Sequence, residues 1–116
     1  KMEQEILFDL DFDISLCTSY RFLERFSKLS KIDNVTFFLS QYLLELGLLD
    51  SKMSQFPQSL QAIAAIYTAK KYMLHQEKSS STQNSTNHYS SSLILSDLNV
   101  PQYSTEQVKS CAKCFN

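Results

Sequence analysis

Glycine occurs once and proline twice in 116 residues, and tryptophan is absent. All-β folds need turn residues at every corner, so this scarcity favours helices joined by polar loops. A single glycine also excludes the glycine-rich phosphate cradles of P-loop and dinucleotide-binding proteins. No G-x-S-x-G nucleophile elbow is present. Positive charge is not in excess: 11 Lys+Arg stand against 12 Asp+Glu, for a net charge of -1. Affinity for nucleic acid rests largely on phosphate neutralisation, so no nucleic-acid partner is expected. No apolar run is long enough to span a bilayer, and no charged-then-apolar leader opens the chain, so no membrane partner is expected. The three cysteines are an odd count with no framework spacing, which points to a reducing compartment.

What is present is apolar patterning at helical spacing. Hydrophobic residues make up 43%, enough for one domain with a real core. "EQEILFDL" is a good helix former, and the alternation of Leu10, Phe12 and Ile14 with Asp9, Asp11 and Asp13 reads as extended chain. A helix ending near Asp11 and a linker are therefore predicted. The aspartates also open an EF-hand pattern, but Ile14 and Tyr20 stand where its Gly and Glu belong. A second helix is predicted after Thr18 or Ser19, with Phe22, Leu23, Phe26 and Leu29 on one face. A third follows a cap at Asp33. Its main stripe is Val35, Phe38, Leu39, Tyr42, Leu43 and Leu46, with Phe37, Leu44 and Leu48 as a second. Being apolar on most sides, it is predicted to be central. Gly47 inside it costs about 1 kcal/mol against Ala, unless a close neighbour needs the space.

Pro57 suits the first turn of a fourth helix. One face of that helix is Leu60, Ile63, Ala64 and Tyr67, and another is Ala62, Ala65, Ile66 and Ala69. Residues 79–92 are Ser-rich and cannot bury apolar surface, so a mobile loop is expected there. "LILSDL" beyond it reads as one irregular or helical turn. Ser104 and Gln107 form an S-x-x-Q capping box for a last helix with Val108, Cys111, Ala112 and Phe115 inward.

Residue chemistry gives little beyond this. Cys111 and Cys114 could be half of a zinc site, but Cys17, His75 and His88 are scattered and supply no second pair. A thioredoxin-like pair needs a βαβ context that is missing. Glu45 and Asp50 are acidic residues in apolar surroundings, for which capping or pairing is the favoured role. No metal, no cofactor and no catalytic residue is expected, which leaves an interaction domain.

Five runs in order resemble the cyclin family, most closely its mitotic A/B-type group. Met2, Glu3, Ile6, Leu7, Leu10, Phe12, Asp13 and Ile14 match M-E-x-x-I-L-x-x-L-x-F-D-φ, where φ is apolar. Phe22, Leu23, Arg25 and Lys28 match F-L-x-R-x-x-K. Tyr42, Leu43, Glu45, Leu46, Leu48, Asp50 and Met53 match Y-L-x-E-L-x-L-x-D-x-x-M. Phe56, Pro57, Ser59, Ala62 and Ala65 fit F-x-P-S-x-I-A-A-x-A, and Tyr103, Ser104, Val108 and Cys111 fit Y-[ST]-x-x-x-L-x-x-C. Gln58 departs where a second proline is common, and Gln61 where isoleucine is.

The resemblance implies an all-α cyclin-box bundle. Residues 1–13 would be the last helix and linker of a preceding box, and 14–116 the C-terminal box. The rest of the first box, which in the family holds most of the kinase contact and the substrate-docking patch, would lie outside the chain. The function implied is a non-enzymatic regulatory subunit that binds and activates a PSTAIRE-type cyclin-dependent kinase in the cell cycle, in nucleus and cytoplasm. Carried over by motif, the kinase-binding residues would be Glu3, Leu7, Phe12 and Ile14. The alternative is a cyclin-fold module of transcription-factor or pocket-protein type that binds peptides or DNA complexes.

Overall fold

The structure is a computed structural model and describes residues 1–80, 96 and 103–115. Among them every regular element is helical. In order these are α1 (Met2–Asp9), α2 (Ser19–Ser30), α3 (Asn34–Gly47), a 3-10 turn (Ser51–Gln55), α4 (Gln58–Ser80), α5 (Thr105–Ala112) and a closing 3-10 turn (Lys113–Phe115). The all-α expectation holds.

Helix α4 is the centre. It packs against α2, α3 and α5, and every residue from Leu60 to Tyr67 is buried. Both predicted faces are thus inward. Ala62, Ala64, Ala65 and Ala69 keep α4 slim, so three neighbours can approach while Leu60, Ile63 and Ile66 supply the apolar mass. Each of those three contributes about 1.5–3 kcal/mol by burial. Leu23 of α2 and Val108, Cys111 and Ala112 of α5 complete the core with Leu44 and Met53.

The sequence placed α3 at the centre, and the structure corrects this. Its inward face is Thr36, Ser40, Leu44 and Gly47, with Phe37 half-buried. Val35, Phe38, Tyr42 and Leu46 of the expected main stripe are exposed, as is Leu48 of the second. Small residues win the inward positions because they let α3 lie close to α4. The Ser40 hydroxyl donates to the Thr36 carbonyl at 2.7 Å, so its burial leaves no polar atom unpaired. Gly47 has a similar cause: a Cβ there would stand 3.1 Å from Phe115 Cε1 and 3.4 Å from Met53 Cε. On α2 the predicted face is likewise trimmed, since Leu29 is exposed while Ser19 is buried.

Caps fix the ends. The Asp33 carboxylate accepts the Thr36 N–H at 3.1 Å, and the Asp50 carboxylate accepts that of Lys52 at 3.0 Å. Ser104 and Gln107 form the reciprocal capping box. Thr18 occupies the N-cap of α2 but makes no side-chain cap bond. Pro57 precedes α4, and its carbonyl accepts the Gln61 N–H at 3.0 Å, so it sits at the cap and not inside the first turn. Helix α4 runs to Ser80, two residues into the expected loop; 81–92 and "LILSDL" as a unit lie outside the described residues.

Candidate partner-binding surface

The four residues assigned to partner binding lie on α1 and the chain just after it. Glu3 and Glu5 occupy the first turn of α1, where negative charge suits the helix dipole. No residue of α1 is buried. Glu3 is exposed, and among the described residues its carboxylate has no ion-pair or hydrogen-bond partner. Leu7 is half-buried. Phe12 and Ile14 are 59% and 66% exposed.

The turn after α1 holds Phe12 outward. Asp11 and Phe12 have φ of 50° and 57°, the left-handed region. Asp tolerates that conformation, whereas for phenylalanine it costs about 1–2 kcal/mol. The Phe12 N–H donates to the Leu7 carbonyl at 2.9 Å, and the Asp11 N–H to that of Phe8 at 3.1 Å, satisfying helix-end carbonyls. The Phe12 ring meets Phe8 edge-on at 5.5 Å. Two tight i→i+2 bonds follow, Ile14 N–H to Phe12 carbonyl at 3.1 Å and Leu16 N–H to Ile14 carbonyl at 2.9 Å.

The structure therefore joins Leu7, Phe12 and Ile14 through backbone hydrogen bonds, and the Glu3 carboxylate bonds to none of them. Phe8 belongs with Phe12 and was not assigned; its signal was the i, i+4 aromatic spacing. A surface of exposed apolar side chains beside the unpaired Glu3 carboxylate is suited to binding another protein, by buried area and by acceptance from donor groups. It offers no paired acid and base.

The two C-terminal cysteines differ in their surroundings, Cys114 being half-buried. Cys111 is buried. Burial, with a smaller contribution from Cys114, pushes its thiol from the ordinary 9.0 up to about 12. It is the neutral thiol at physiological pH, and nucleophiles and metal ligands need the thiolate. The Cys114 sulfur lies 4.0 Å from the Ser110 carbonyl oxygen on its own helix.

Comparison with known proteins places this geometry. The family model "Cyclin, C-terminal domain" matches residues 17–116. Cyclin-B2-1 of Arabidopsis thaliana is 38% identical over 95 residues, covering 82% of this chain and 22% of the relative. The G2/mitotic-specific cyclin-B of Dictyostelium discoideum is 44% identical over 70 residues, 60% of this chain and 16% of the relative. The G2/mitotic-specific cyclin-B3 of Drosophila melanogaster is 38% identical over 69 residues, 60% of this chain and 12% of the relative. The chain thus spans less than a quarter of the length of these curated relatives. No solved structure matches it. An all-helical bundle centred on the alanine-rich α4, matched by this family over nearly its whole length, belongs to the cyclin C-terminal domain family.

Proposed function

We propose that this chain is the second box of a mitotic, B-type cyclin, a non-enzymatic subunit that binds a PSTAIRE-type cyclin-dependent kinase and activates it. Residues 1–13 are then the end of a preceding box. The observation that carries the reading is the match to B-type cyclins combined with an α1 segment that buries none of its own residues. A helix and turn bearing Ile6, Phe8, Leu10 and Phe12 in the open have their apolar partners elsewhere in the assembly.

The mechanism is a population shift. A regulator activates by binding the active placement of the kinase's mobile elements better than the inactive one. The phosphoryl-transfer groups all belong to the kinase. On this side Glu3 accepts backbone N–H bonds, Phe12 and Ile14 supply apolar contact, and Leu7 supports Phe12 from below.

Kinase stimulation in the full-length protein tests this. Co-expression with PSTAIRE-type kinases of the same organism should give a complex with raised phosphorylation of a peptide substrate. Glu3→Lys should weaken the complex by about tenfold, the range for losing a charge-assisted bond. Lack of stimulation by every such kinase would end the proposal, and unchanged affinity in the variant would remove Glu3 from the contact.

A further inference from the structure

We propose that the cleft between residues 16–20 and the C-terminal half of α3 is a second docking site, for a partner segment carrying aliphatic side chains beside a lysine or arginine. It uses none of Glu3, Leu7, Phe12 or Ile14, and it goes beyond the kinase-regulator reading.

The cleft has a volume of about 640 Å³, within the range of roughly 300–1,000 Å³ typical of ligand sites. Buried Leu44 is its floor, and Leu16, Tyr20 and Leu48 are its apolar walls. Leu16 and Leu48 are 86% and 79% exposed, large apolar groups left in water at the rim. Charge selects the occupant. Glu45 is the sole formally charged residue of the lining, and Gln41 Nε2 donates to its carboxylate at 3.1 Å and orients it. An apolar cavity with a negative rim takes an apolar anchor flanked by a cation. Thr18 makes no side-chain cap bond and its carbonyl takes the Arg21 N–H of the first turn, at 3.1 Å, which leaves the Ser19 and Tyr20 N–H groups for an acceptor. A peptide carbonyl supplies that acceptor, which makes the occupant a polypeptide segment.

Cys17 supplies the readout, since it lines the cleft and is exposed while Cys111 is buried. The probe is a capped peptide with an isoleucine–leucine pair flanked by lysines in a serine–glycine frame. Rates of maleimide addition at Cys17, located by mass spectrometry, report occupancy. The lysine peptide should slow addition saturably, and its glutamate counterpart should bind about fivefold more weakly or worse. Glu45→Lys should reverse that preference, and Leu48→Ser should weaken both. Both positions are exposed, and far-UV circular dichroism checks that the variants fold. No protection at millimolar lysine peptide overturns the proposal. So does protection that ignores peptide charge, or protection that grows with protein concentration alone, which assigns the cleft to a second copy. The readout contains no kinase, so failure of the proposed kinase function leaves these outcomes unaffected.

Discussion

Gln61 departs from the apolar residue that the cyclin pattern carries at its position, and the structure gives it work to do. Its side chain is almost fully buried, at 6% exposure. Its Nε2 donates to the Met53 carbonyl at 2.7 Å and to the Phe56 carbonyl at 3.0 Å. These carbonyls end the 3-10 turn that feeds α4. Gln61→Ile removes both donors. Met53 keeps one partner, since its carbonyl also accepts the Phe56 N–H at 3.1 Å, whereas Phe56 loses its side-chain donor. An unsatisfied buried acceptor costs about 1–3 kcal/mol, and a weakened one about 1 kcal/mol. Burying isoleucine offsets this by about 1 kcal/mol relative to the amide. A net loss of about 1–3 kcal/mol follows, or roughly 4–20 °C in Tm for a domain of this size. With no tryptophan in the chain, urea unfolding is followed by far-UV circular dichroism at unchanged m. A Gln61→Ile variant as stable as the parent, at the same m, would refute the claim that these two bonds hold the turn.

Three further outcomes rest on the same structure. Asp33→Ala should cost about 1 kcal/mol at neutral pH by loss of the α3 cap. Hydrogen bonds from Thr36 hold the Asp33 carboxyl below its ordinary 3.8. The parent's cap contribution is therefore full above about pH 4 and lost as pH falls through the lowered folded value, so the variant should show a flatter acid limb in pH-dependent unfolding. The Cys111 thiol is raised instead, so its contribution is full below the ordinary 9.0 and declines as pH rises toward about 12; in thiol mapping at pH 8, Cys17 should be modified long before Cys111, which should react only on unfolding. Gly47→Leu should destabilise by about 1–3 kcal/mol in urea titration, because Phe115 and Met53 fill the space a side chain needs.

Much of this architecture was legible because local rules and tertiary demands agreed. The Ser104–Gln107 box, the Asp33 cap and the inward set Val108, Cys111, Ala112 and Phe115 follow from spacing alone, and the structure repeats them with Phe115 half-buried against the core from the closing 3-10 turn. Helix α3 defeated the same rules. Its bulky apolar side chains Val35, Phe38, Tyr42 and Leu46 stay outside, while Thr36 and Ser40 take inward positions and Gly47 makes room for Phe115 and Met53. Hydrophobic periodicity weighs bulk and cannot register a demand for smallness. Phe12 was legible as a motif position, but its left-handed backbone was not, because nothing in a non-glycine residue advertises positive φ. The cleft at Leu16 and Leu48 joins segments distant in sequence, and no local pattern announces it.

The Ser59 and Tyr103 hydroxyls lie 2.6 Å apart, joining the first turn of α4 to the residue before the Ser104 cap. This clasp lets the two helices keep their register whatever the length of the polypeptide between Ser80 and Tyr103. Doubling the length of a closed segment adds only about 0.6 kcal/mol of closure entropy. Lengthening that stretch is therefore cheap in closure entropy, while exchange of either hydroxyl would be felt at the helix that Ser104 caps.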